Sequence, residues 1–195
     1  LPGSGKTTIG TSLYYDIRLE RDNVIILTGD TLKDVVDEKA NFTIKDRFYR
    51  ARKYANLCKM LSDQGIWVII CTVSMFDEIR EWNRKNIDGY IEIFLDASMD
   101  TLCQRNKRGL FYNIKKNLEN NSIQFPKHPD CIINNNGDKT ISECVNLIKQ
   151  ISPMKVNDFN RDSKYWNIYY NENHDIEKPS DFALFISSYL RPNRM

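Results

Sequence analysis

No stretch of this chain is apolar for long enough to cross a bilayer, so a membrane protein built on spanning helices is not expected. Charge of one sign is equally scarce. The 28 Lys and Arg stand against 26 Asp and Glu, leaving +2, so no surface for nucleic acid is expected and any anion site must be local. The five cysteines (Cys58, Cys71, Cys103, Cys131, Cys144) are odd in number, far apart and without a C-x-x-C, which argues against both a disulfide framework and a zinc site. They read as reduced, mostly buried and cytoplasmic. The two histidines, His128 and His174, are isolated and have no companions that would make a metal site. Internal repeats and a recognisable signal peptide are also lacking, and bias is confined to the asparagine-rich pieces 117–121 and 134–136. At 195 residues the length suits one domain with an appendage.

What the sequence does contain begins at its first residue. Leu1-Pro2-Gly3-Ser4-Gly5-Lys6-Thr7-Thr8 is the second half of a G-x-x-x-x-G-K-[ST] phosphate loop, whose first glycine would precede Leu1 by one position. The strand that normally leads into such a loop would precede it too, so the chain is expected to be a fragment whose first, central strand is truncated. Gly3 and Gly5 allow the backbone to curl until successive N–H groups, with Ser4 and Thr8 completing the run, point into one concavity that holds nucleotide phosphates. Lys6 adds a mobile positive charge, and the Thr7 hydroxyl is a candidate ligand of Mg²⁺ on bound ATP. Neither Lys6 nor Thr7 has a packing role in this reading.

Hydrophobic patterning predicts a helix over 7–20 and a strand over 23–27 ending in Thr28-Gly29-Asp30. A long helix follows over 44–64, with Phe48, Ala51, Ala55, Leu57, Cys58 and Leu61 on one side and a stop at Gly65. Strands are predicted over 67–71, continuous enough to be buried on both faces, over 91–96 and over 131–134, then a helix over 140–151. This alternation is that of an α/β protein, a parallel sheet flanked by helices in the P-loop NTPase manner, with ligands at the carboxyl ends of the strands. The P-loop domain is placed at 1–152, a polar linker at 153–162 and a short helical tail at 163–195.

Five motifs in order, from Gly3 to about Phe111, resemble those of the adenylylsulfate kinases, which phosphorylate the ribose 3′-hydroxyl of adenylyl sulfate with MgATP. They are G-S-G-K-T-T, then Thr28-Gly29-Asp30 for D-G-D, and Phe42-Thr43-Ile44-Lys45-Asp46-Arg47 for F-S-x-x-D-R. Val73-Ser74 with Arg80 follows for I-S-P and a later arginine, and Lys107-Arg108-Gly109-Leu110-Phe111 for a K-G-L-Y lid. The resemblance implies that Asp30 approaches the acceptor hydroxyl as base or metal ligand, that Arg47 contacts the acceptor nucleotide and that Phe42 stacks on its base. It places Lys33 where the family usually has arginine, a charge without the bidentate fork, and Ser74 at the acceptor. Arg105 and Lys107 would neutralise charge on the transferring phosphoryl group. It also suggests a homodimer.

Plainer readings stand beside these roles. Asp30 could cap the following helix, Arg47 could pair with Asp46 or Asp63 on a solvated face, and Phe42 could be a core aromatic. The chain also departs from the family pattern. Thr28 replaces the first acid of D-G-D, Arg50 replaces an asparagine, Met75 replaces the proline of I-S-P, and the lid is shortened after Phe111. That combination resembles a branch acting in bacterial capsule phosphoramidate synthesis, whose acceptor is a cytidine diphosphoramidate, and Arg50 would suit a different nucleotide head group. A nucleotide-binding regulator without turnover is the other class of reading. Lys164-Tyr165-Trp166-Asn167-Ile168-Tyr169-Tyr170 and Pro179-Ser180-Asp181-Phe182 resemble the approach to an S-adenosylmethionine-dependent methyltransferase, which implies a fused domain beyond Met195, or else a helical pair packed on the kinase.

Overall fold

A computed structural model describes residues 1–36, 43–73, 76–105 and 124–151, all within a compact unit that runs from Leu1 to Met154. The predicted linker and tail lie outside the described residues, as do Phe42, Ser74 and Lys107.

The elements alternate as the patterning requires. They are α1 (Lys6–Arg18), β1 (Val24–Thr28), α2 (Gly29–Val36), α3 (Ile44–Asp63), β2 (Trp67–Cys71), α4 (Asp77–Asn86), β3 (Ile93–Asp96), α5 (Met99–Gln104), β4 (Cys131–Asn134) and α6 (Ile141–Ile151). Three helix starts are written in the sequence as short polar motifs. Thr43 accepts from the Asp46 N–H, Ser98 from that of Thr101, and Thr140 from that of Glu143, whose carboxylate reaches back to the Thr140 N–H at 2.7 Å. Each satisfies donors that the first turn of a helix leaves without partners. Gly65, at φ 77, takes the left-handed position that ends α3.

All pairing is parallel. β1 lies beside β2 in register from Val24 opposite Trp67 to Thr28 opposite Cys71, and β3 beside β4 from Ile93 opposite Cys131 to Asp96 opposite Asn134. The single sheet expected from the patterning is therefore seen as two parallel pairs, because among the described residues no hydrogen bonds join β2 to β3. One core nevertheless serves both. Ile9, Leu13 and Ile17 of α1 share it with Val24, Leu95 and Ile133 of the strands and with Cys144, Val145 and Ile148 of α6.

Burial corrects one expectation. β2 is not buried on both faces: Trp67, Val68 and Ile69 are half-buried and Ile70 is 37% exposed. The strand is paired along one edge only among the described residues, so its cover is incomplete. On α3 the buried residues are Tyr54, Ala55 and Cys58, with Phe48, Ala51, Leu57 and Leu61 only half-buried, since α4 and β2 cover a narrow part of that helix. The strand predicted from residue 91 begins at Ile93, because the Glu92 N–H is given to the Asp130 carboxylate at 2.7 Å rather than to a neighbouring strand. All five cysteines are free thiols. Cys58, Cys71 and Cys144 are buried, Cys131 is half-buried and Cys103 is exposed. Among the described residues no helix is long and apolar enough to cross a membrane.

Candidate active site

The carboxyl ends of β2 and β4 reach the residues that open α1. Gly3 and Gly5 have φ of 83° and 94°, left-handed values that a side chain would strain, and Gly5 is the residue on which the helix starts. No side chain caps that start, so the first N–H groups of α1 are directed as an anion site requires. Thr7 and Thr8 are exposed in the first turn, and Ser4 is buried at 1% exposure.

Lys6 folds back over its own loop. Its Nζ donates to the Leu1 carbonyl and, at 3.2 Å, to the Ser4 hydroxyl. Burial draws its pKa down to about 8. The ammonium is thus already desolvated where anionic phosphate would stabilise it most.

At the carboxyl end of β1, Thr28 closes the strand and Gly29 begins α2. Thr28 Oγ1 accepts from the Thr31 N–H at 3.2 Å, and Thr31 Oγ1 returns a bond to the Thr28 carbonyl at 3.0 Å. Thr28 is therefore the cap of α2, and the capping role that Asp30 could have filled is already taken. Asp30 is exposed in the first turn of that helix rather than in a turn before it. Lys33 is exposed in the last turn of α2. Arg47 and Arg50 are half-buried near the start of α3, one turn apart. The two carboxylates considered for Arg47 have other partners: Asp46 bonds Thr43, and Asp63 is held by Lys59 at 2.8 Å.

Arg105 closes α5. That helix lies against the loop: a Cβ built on Gly3 would meet Leu102 Cδ2 at 3.5 Å and Arg105 Cβ at 4.0 Å. The structure thus brings Arg105 to the same loop as Lys6, in keeping with the place that the resemblance implies for it.

Arg80, aligned as a motif arginine, is 5% exposed and belongs to an ion-pair cluster. It contacts Asp77 and Glu92, and donates to the Gln124 carbonyl at 2.7 Å. Arg84 adds bonds to Asp130 at 3.0 Å and Glu92 at 3.2 Å. The cluster pins residues 124–130 to α4 and to the start of β3. Burial raises Glu92 above the usual carboxylate range, while a hydrogen bond from Arg84 holds Asp130 below it. No sequence pattern announced this network, because its members are scattered over more than fifty positions.

The donors suit magnesium. Thr7 and Asp30 offer a hydroxyl and a carboxylate, both exposed, in the first turns of α1 and α2. Mg²⁺ on a nucleotide is held by one or two such hard oxygens together with phosphates and water.

Comparison with known proteins matches residues 1–126 to the family model for adenylylsulphate kinase. The chain is 40% identical over 153 residues to the cytidine diphosphoramidate kinase of Campylobacter jejuni, covering 76% of this chain and 89% of that protein. It is 26% identical over 156 residues to an adenylyl-sulfate kinase of Synechococcus, covering 77% and 88% respectively. Among solved structures, the Mycobacterium tuberculosis APS kinase CysC in complex with AMPPNP and APS superposes with a TM-score of 0.67 at 23% identity, covering 77% of this chain and 92% of that one, a likeness of fold.

Proposed function

Because this chain belongs to the adenylylsulfate kinase family and is an ATP-dependent phosphotransferase, we propose that its acceptor is a cytidine diphosphoramidate, phosphorylated on a ribose hydroxyl. The observation that carries this choice is the 40% identity to the Campylobacter cytidine diphosphoramidate kinase, against 26% for the Synechococcus adenylyl-sulfate kinase over a similar length. The substitutions at Thr28 and Arg50 fall on the acceptor side of the site and agree with it.

Phosphoryl transfer asks the protein mainly for position and charge. The loop N–H groups and Lys6 hold the β- and γ-phosphates, and Thr7 with Asp30 would hold Mg²⁺, which when bound draws charge from the phosphate oxygens. Asp30 faces the acceptor and either orients its hydroxyl or takes its proton. Arg47 and Arg50 bind the acceptor's anionic head group, with Phe42, Ser74 and Lys107 as further contacts proposed from the motifs. Arg105 neutralises charge that spreads onto the transferred group.

The test is MgATP with cytidine diphosphoramidate, and separately with adenylyl sulfate, reading ADP release and the phosphorylated product. Product from the cytidine compound alone is expected. Product from adenylyl sulfate alone would overturn the acceptor assignment, and ATP binding without turnover on either would support a regulator instead.

A further inference from the structure

We infer that Asn135, the residue after β4, is a positioning residue that sets the phosphate loop for ATP. The inference rests on the ATP-binding reading of that loop and adds a residue to it. Asn135 stands in an asparagine-rich run that looks like mere compositional bias in the sequence. In the fold its amide Nδ2 donates to the Ser4 carbonyl at 2.9 Å, a contact across 131 positions of chain.

What that bond fixes follows from peptide geometry. The C=O and N–H of one trans peptide point in opposite directions, and the chain has no cis peptide among its described residues. Holding the Ser4 carbonyl toward Asn135 therefore turns the Gly5 N–H away from it, toward the side on which phosphate is cradled. Ser4 is buried, so water is a poor substitute for the amide. The fit is close as well: a Cβ on Gly5 would fall under 3.0 Å from Nδ2 of Asn135, so any side chain at position 5 would push the amide out of this bond.

Asn135 is itself held from both sides. Its own N–H donates to the Asp96 carbonyl at 2.6 Å, continuing the ladder at the end of β3. The next residue, Asn136, accepts through Oδ1 from the Ser98 N–H at 2.8 Å and from the Thr101 hydroxyl at 3.1 Å, at the start of α5. The asparagine pair thus ties the loop to the helix that ends beside Arg105.

The experiment compares the wild-type chain with N135A and N135D. It measures affinity for a fluorescent methylanthraniloyl-ATP, KM for ATP and KM for the acceptor, with thermal unfolding alongside. Both variants lose the donor, so ATP affinity falls about tenfold while KM for the acceptor holds. Once protonated, the carboxyl introduced by N135D no longer repels the Ser4 carbonyl and can donate to it through its hydroxyl. Burial against the Ser4 carbonyl raises that carboxyl's pKa, so the N135D defect relative to wild type shrinks as the pH is lowered from 8 through its titration, while that of N135A stays flat. Should N135D not fold, N135S carries the affinity comparison, since its shorter side chain stops short of Ser4. Wild-type ATP affinity in the folded variants, or an equal loss for ATP and acceptor, overturns the role of Asn135. A wild-type chain that binds no ATP overturns the kinase reading itself, and this inference with it.

Discussion

The thiol of Cys71 donates to the carbonyl of Lys6 across 3.4 Å, joining the last residue of β2 to the first residue of α1. Burial pushes that thiol up to about 11, so it keeps its proton and remains a donor. The approach depends on Gly10, one turn further along α1. A Cβ there would fall under 3.0 Å from Cys71 Sγ, with Ile69 and Ile26 close behind.

Gly10→Ala is therefore expected to destabilise the chain by about 2 kcal/mol, despite the better helix propensity of alanine, because a buried sulfur cannot move aside. Urea unfolding measures it. Cys71→Ala in the same chain removes the obstructing atom and should recover most of the loss, whereas equal stability of the single and double variants would refute the contact.

The cap at Thr28 makes a second comparison. Thr28→Val keeps the shape but removes the hydroxyl that accepts from Thr31, at a cost of about 1 kcal/mol. Thr28→Asp supplies another capping oxygen and should stay within about 0.5 kcal/mol of wild type. Because Asp30 rides on the helix so capped, kcat should fall for the valine variant more than for the aspartate variant.

Lys6 makes ATP binding dependent on pH. With its pKa lowered to about 8, the free chain at pH 8 holds roughly half a proton on this side chain, and bound phosphate restores the rest. Calorimetric titration with ATP in two buffers of different ionisation enthalpy should show uptake of about half a proton at pH 8 and far less at pH 6.5. The sign for folding is opposite. The unfolded lysine keeps its proton up to about 10.5, so the cost of burying the charge is relieved, and stability rises, between about pH 8 and 10.5.

Arg80 tests the ion-pair cluster. Arg80→Met leaves Glu92 and Asp77 with less compensating charge, and should lower stability by about 3 kcal/mol. Adding Glu92→Gln should return part of this by removing the buried charge. If the single variant melts with wild-type stability, the cluster does not hold residues 124–130 in place.

Much of this molecule is legible in the order of its residues. The loop residues 3–8 carry their chemistry in a contiguous run, and α1, β1, β2, β4 and the two long capped helices follow from local periodicity with a stop at Gly65. The short helices α4 and α5 are not legible in the same way, because ten and six residues leave little pattern. Asp30 is ambiguous in the sequence for a different reason. Whether it caps a helix depends on its neighbours, and the Thr28 hydroxyl two residues earlier holds that position.

The sequence by itself determined the phosphate-binding chemistry, the alternation of strand and helix, and the family, since all three rest on residues near one another in the chain. Tertiary structure alone decided that Asn135 grips Ser4, that Cys71 meets Lys6 over Gly10, and that Arg80 is buried among carboxylates. Most of these contacts span tens of residues or more, and a bond between distant side chains leaves no periodic trace. It exists only once parallel pairing has brought the strand ends together.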